Sequence, residues 1–127
     1  MTALPIPDDV QRFVLLTIPS VPYLEALLLM RSTPGRTWDA AQVAQRLYLS
    51  DKVGASLLSG LAAAGVADAE QSGQYRYRPQ SEELTELIDR LAIVYAKNLV
   101  GVSNLIHSKM SKKAQQFVDA FVLRKDS

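Results

Sequence analysis

Apolar residues fall at helical spacing along most of the chain, interrupted near the middle by a short stretch whose pattern turns extended. Pro5 and Pro7 hold the start extended, Asp8 is placed to cap a short helix with Val10, Phe13 and Val14 on one face, and Pro19 ends it. Ser20 caps the next helix: Pro22 is tolerated in its first turn, Leu24, Leu27 and Leu28 form its stripe, and Thr33-Pro34-Gly35 closes it. After a short extended link, Arg36-Thr37-Trp38, Asp39 stands three residues before Gln42 in a capping-box arrangement. It opens a helix to about Leu47 with Val43, Ala44 and Leu47 inward. Ser50 is placed to cap a further helix that carries Val53, Leu57, Leu58 and Leu61 inward and stops at Ala64-Gly65. Two such helices separated by a few residues are a helix-turn-helix signature.

Val66 to Glu70 and Gln74 to Arg78 then flank Ser72-Gly73, a dipeptide suited to a tight hairpin because Gly accepts positive φ without steric cost. With a two-residue turn, Arg76 and Arg78 project from one face opposite Ala69 and Ala67, and neither guanidinium meets a cross-strand carboxylate. Tyr75 and Tyr77 take the other face as packing residues, and Pro79 ends the strand. Ser81 caps a long helix from Glu82 to about Ile106, with Glu82, Glu83 and Glu86 near its positive end. Its stripe is Leu84, Leu87, Ile88, Leu91, Tyr95, Leu99, Val102 and Ile106. A helix of about 25 residues runs roughly 38 Å, longer than a domain of ~60 residues is wide, so part of the stripe needs another partner. The C-terminal piece, Ser111 to Leu123, offers Phe117 and Phe121 one turn apart with Val118 and Val122 beside them, and a second copy of the chain can cover the remainder.

Composition narrows the class without changing this picture. A chain of 127 residues fits one domain, or one small domain with an appended helical segment, and 48% hydrophobic content suits a soluble globular protein. The absence of Cys removes disulfides, thiolate catalysis and Cys-based zinc sites, and agrees with a reducing cytoplasm. The N-terminus carries acids where a signal peptide carries Lys or Arg, and no apolar run approaches the ~18 residues of a membrane helix, so the expected location is the cytoplasm, with no membrane partner. A net charge of +1 announces no nucleic-acid binder, so the distribution of charge has to decide.

The run LEALLLMRSTPGRTWDAAQVAQRLYLSDKVGASLLSGLAAAGVADAEQSGQYRYRP, about half of the chain, resembles the winged helix-turn-helix superfamily of bacterial transcriptional regulators. The spacing that carries the resemblance is TWDAAQVAQRL, then LSDKVGASLLSGLAAAGV, then a hairpin ending YRYRP. The fold class expected is therefore mainly α with a small β-hairpin. Its parts are an N-terminal extension over residues 1–19, a winged helix domain over 20–79, and a long helix plus a further short helix over 80–127 that serve dimerisation. The resemblance implies that the helix from about Asp51 to Ala64 lies in a DNA major groove with the hairpin along the backbone.

On that basis Ser50, Lys52, Ala55, Ser56 and Ser59 are candidate DNA contacts on the helix, and Arg76 and Arg78 are candidate phosphate contacts on the hairpin. Leu91, Tyr95, Leu99, Val102 and Ile106 are candidates for a homodimer contact, with wrapping on the chain's own domain as the alternative. Trp38 is expected to seal the core against the second helix and the hairpin. The basic group Lys109, Lys112, Lys113, Arg124 and Lys125 is read either as solvated surface or as help for DNA or an acidic partner. A lone histidine, His107, provides neither a metal site nor acid-base chemistry. Ser56 in GASLL lacks the second Gly of a nucleophile elbow, and Gly60 to Gly65 lacks the Lys-Ser or Lys-Thr of a phosphate loop. Neither an enzyme nor a cofactor is expected. A helix face of Ala, Ser and Gly also suits close protein packing, which keeps a protein-interaction module open as the alternative function.

Overall fold

Helix starts follow the capping side chains. In the computed structural model, which describes residues 5–108, the elements run α1 Asp8–Thr17, α2 Val21–Ser32, β1 Thr37–Trp38, α3 Ala40–Leu47, α4 Asp51–Ala63, β2 Ala67–Ala69, β3 Tyr75–Tyr77 and α5 Glu82–Lys97, followed by α6 over residues 99–108. Ser20 Oγ accepts from Tyr23 N at 3.3 Å, Ser50 Oγ from Val53 N at 3.2 Å and Ser81 Oγ from Leu84 N at 3.1 Å. Asp39 and Gln42 form the reciprocal box, with Asp39 Oδ1 accepting from Gln42 N at 2.8 Å and Gln42 Oε1 from Asp39 N at 3.0 Å. Each such bond satisfies an amide that the first helical turn leaves without a partner. Only α1 departs from expectation: Pro7 takes the cap position with no side-chain bond, and Asp8 is already helical.

The architecture is mainly helical around one small antiparallel sheet of order β1-β3-β2. The expected link Arg36-Thr37-Trp38 is in fact partly a strand, with Thr37 opposite Arg76 and Trp38 opposite Tyr75. The hairpin also differs from its expected form. Its loop holds three residues, Gln71–Gly73, with Ser72 at φ 58° and Gly73 at φ 74°, and Glu70 N donates to Gln74 O across its base. One extra loop residue shifts the pairing by one, so Arg76 lies opposite Asp68 and Tyr77 opposite Ala67.

The core is drawn from every helix: Val10 and Val14 of α1, Leu24, Leu27 and Met30 of α2, Val43 of α3, Leu58 and Leu61 of α4, Ile88 and Leu91 of α5, and Val102 and Ile106 of α6, with Trp38 and Ile18 between them. α3 packs chiefly on α4, and α4 in turn on α2 and β2. The inward row of α4 is Gly54, Leu57, Leu58 and Leu61, the i, i+3, i+4, i+7 spacing of a buried stripe. Val53, expected inward, is 40% exposed because that row turns it outward. α1 packs on α5, where Arg90 pairs with Asp9, and Arg31 Nε meets Asp89 Oδ1 at 2.9 Å to tie α2 to α5.

The expected long helix is two helices. α5 ends at Lys97, and Asn98, at φ −145°, becomes the N-cap of α6: its Oδ1 accepts from Gly101 N at 2.9 Å and its carbonyl from Val102 N at 3.1 Å. Gly at position 101 leaves room for that cap, since a Cβ there would collide with the Asn98 amide. The Ser111 to Leu123 piece and the basic group from Lys109 onward lie outside the described residues. Among the described residues no single helix is long and apolar enough to cross a membrane, and α1 and α2 are bent by 110° at their junction.

Tyr75 and Tyr77 pack against the core from the inner face of β3. The Tyr77 hydroxyl is buried and has no hydrogen-bond partner among the described residues. Burial first, and the Asp89 carboxylate second, push its pKa up from 10.0 to about 12, against a lowering by the Arg31 guanidinium. Unfolded, Tyr77 gives up its proton near pH 10.0, whereas folded it keeps it to about 12. Over that window the unfolded chain binds fewer protons, and stability falls as pH rises. Tyr77→Phe is expected to leave stability at pH 7 unchanged or raised, because no bond is lost, and to make the alkaline decline shallower. Urea titrations at pH 7 and pH 10.5 check both; a large loss at pH 7 would mean that the hydroxyl has a partner.

Candidate nucleic-acid interface

The turn from α3 to α4 comprises Tyr48, Leu49 and Ser50. Tyr48 adopts the left-handed conformation at φ 58° and leaves its side chain 95% exposed, while Leu49 turns back against the core. An aromatic side chain held there costs backbone strain without burial in return. Two glycines then set how α4 sits. Gly54 lies against the Ala40 carbonyl, which lets α3 and α4 approach closely. Gly60 lies under the Tyr23 ring, whose hydroxyl donates to the Gly60 carbonyl at 3.4 Å and whose pKa is raised by burial. With its inner face so occupied, α4 presents Asp51, Lys52, Val53, Ala55, Ser56 and Ser59 outward. All the helix candidates, Ser50, Lys52, Ala55, Ser56 and Ser59, are thus exposed on one element, and they offer short side chains and a single cation.

The hairpin candidates are exposed but not unpaired, which corrects the expected absence of carboxylate partners. Arg76 Nε lies 3.4 Å from Glu70 Oε1, and Arg78 Nη1 lies 3.5 Å from Asp68 Oδ2. The one-residue shift in register put both carboxylates on the face of the two guanidinia. Exposed pairs of this kind are worth at most ~1 kcal/mol, so they neutralise charge more than they lock structure.

Two further arginines, absent from the sequence-based set, stand beside them. The guanidinium carbon of Arg36 lies 3.7 Å from the centroid of the Trp38 ring, and that of Arg46 lies 5.7 Å from it. Both distances fall within cation–π range. Trp38 itself is fully buried, as expected of a core anchor, and its Nε1 donates to Thr33 Oγ1 at 3.0 Å. Neither Arg36 nor Arg46 has a carboxylate within 4 Å among the described residues. The signal available in the sequence was Arg-Thr-Trp, whose alternate positions share a face only if the segment is a strand.

The candidate dimer set divides. Leu91, Val102 and Ile106 are buried in this chain's own core, the wrapping that the sequence left open as the alternative to a second copy, and Tyr95 is half-buried. The cap at Asn98 explains the change, because it turns α6 back onto the domain. Leu99 is 54% exposed, and Ile93 and Val100 are exposed as well. His107 is exposed on α6, and among the described residues no group of three His, Cys, Asp or Glu side chains could hold a metal ion. No family model, no curated protein and no solved structure matches this chain.

Proposed function

We propose that the chain is a DNA-binding protein of winged-helix type that acts as a cytoplasmic transcriptional regulator. The observation that carries this reading is the arrangement around α4. α3 and α4 are joined by a three-residue turn, the outer face of α4 is uncovered, and an antiparallel hairpin follows directly and is extended to three strands by β1. In this reading α4 enters the major groove with Lys52, Ala55, Ser56 and Ser59 toward the DNA, and the hairpin runs beside the backbone. A homodimer would present two copies of α4 to two half-sites, and Ile93, Leu99 and Val100 are large apolar residues that α5 and α6 leave exposed for such a contact.

Fluorescence anisotropy with genomic DNA fragments over a series of KCl concentrations tests the reading. Affinity is expected to fall steeply with salt and to weaken on Lys52→Gln, and a complete lack of salt-sensitive association at low ionic strength would sink it. A second reading, a protein-interaction module, is favoured by the exposed Tyr48, Val53 and Ala55 beside hairpin arginines already neutralised by carboxylates. It requires a protein partner whose binding survives salt and is lost on Ala55→Glu or Ser59→Glu. Failure to recover such a partner from the native cell would remove this reading.

A further inference from the structure

Positive charge around α4 is concentrated away from the hairpin. From Arg36 to Gln80 the chain has the cations Arg36, Arg46, Lys52, Arg76 and Arg78 and the carboxylates Asp39, Asp51, Asp68 and Glu70. Asp68 and Glu70 are engaged by Arg78 and Arg76. Asp39 is engaged by the first turn of α3 and by Gln74 Nε2 at 3.5 Å. Arg36, Arg46 and Lys52 are left without a carboxylate among the described residues, and two of these three share one indole ring.

Stacking uses the face of a guanidinium and leaves its N–H edge free. The platform beneath is rigid: Trp38 is buried, bonded to Thr33 and paired through its backbone with Tyr75. Two like charges held 3.7 and 5.7 Å from one ring centroid repel each other, and an anion that reaches both offsets that repulsion. Phosphate suits the geometry, because a guanidinium edge can give it two parallel hydrogen bonds. The location suits it as well. Asp39, which follows Trp38 directly, caps α3 and is bonded to Gln74 at the base of the hairpin loop, so the stack stands where the start of α3 meets the hairpin.

We infer that Arg36, stacked on Trp38, and Arg46, within cation–π range of the same ring, form a clamp for a backbone phosphate of the duplex that α4 engages, an assignment that rests on the DNA-binding reading above. Arg36 and Arg46 thereby take the role expected of Arg76 and Arg78. The test uses the full chain with a 30-base-pair mixed-sequence duplex, read by anisotropy across KCl concentrations and by the emission of Trp38, the only tryptophan. The double variant R36Q/R46Q is expected to bind at least ~10-fold more weakly at 0.1 M salt, with the slope of log K against log[salt] shallower by about 0.9, the loss of one phosphate contact. R36K/R46K should keep the wild-type slope because it keeps the charge, and Arg12→Gln, an exposed α1 cation without a carboxylate partner among the described residues, should change nothing. DNA should shift Trp38 emission in the wild type. Wild-type binding with an unchanged slope in R36Q/R46Q, an equal loss in Arg12→Gln, or silent Trp38 emission overturns the clamp and leaves DNA binding standing. A wild type that shows no salt-sensitive association overturns both. Thermal unfolding of each variant separates loss of contact from loss of fold.

Discussion

Trp38→Ala is expected to lower the free energy of unfolding by ~4 kcal/mol, a large share of the 5–15 kcal/mol that holds a domain of this size together. The indole is fully buried and ties together three parts of the fold. Its backbone pairs β1 with β3, its Nε1 bonds the Thr33 hydroxyl just beyond α2, and its ring carries Arg36 and, from α3, Arg46. Truncation therefore leaves a large cavity, a hydroxyl without its donor and two guanidinia without their platform. Trp38→Phe separates these contributions: it keeps most of the packing and part of the stacking but loses the bond to Thr33, and should cost about 1–2 kcal/mol. Urea unfolding followed by far-UV circular dichroism measures both variants. A loss below ~1 kcal/mol for Trp38→Ala would show that the ring is not a core element.

What the sequence made legible was local. Ser20, Asp39, Ser50 and Ser81 announce helix starts because a cap acts over three residues, and all four do so here. What it hid were choices of one residue in register. Ser72-Gly73 suits a two-residue or a three-residue loop equally, since both residues take positive φ in the loop that forms. That single residue decides whether Arg76 faces Ala69 or Asp68, and hence whether the hairpin is free to bind an anion. Val53 and Gly54 pose the same problem on α4: both are compatible with an inward row, and a helix turns about 100° between them.

The break at Asn98 was concealed by the continuity of the stripe. Leu91, Val102 and Ile106 keep helical spacing across it because α5 and α6 both face the same core. The readable signal was Asn98 itself, a poor interior residue and a good cap, with Gly101 at the position whose amide it receives. Arg46 was not readable at all. Its place over Trp38 depends on the angle at which α3 leaves β1, a tertiary quantity that no local pattern encodes.

Gly54→Val is expected to destabilise the protein by about 3 kcal/mol, and Gly54→Ala by ~1–2 kcal/mol, although Gly→Ala inside a helix ordinarily gains up to about 1 kcal/mol. The reversal of sign comes from what a Cβ would meet. At Gly54 it runs into the Ala40 carbonyl oxygen, with the Ala40 carbonyl carbon at 3.3 Å and Ala44 Cβ at 3.4 Å. Backbone in the first turn of α3 cannot rotate aside as a side chain can, so α3 has to move off α4. Gly35→Ala provides the control, because a Cβ there meets nothing within 4 Å and no positive φ is involved, and it should be neutral or slightly stabilising. Thermal and urea unfolding of the three variants decide the matter. A Gly54→Ala protein as stable as the wild type would mean that α3 and α4 do not approach as closely as described. The same contact sets the angle at which α4 shows Lys52, Ala55, Ser56 and Ser59 to its surroundings. Under the DNA-binding reading, Gly54→Ala should therefore weaken association even at temperatures where the variant remains folded, with little change in the salt slope, because it removes no charge.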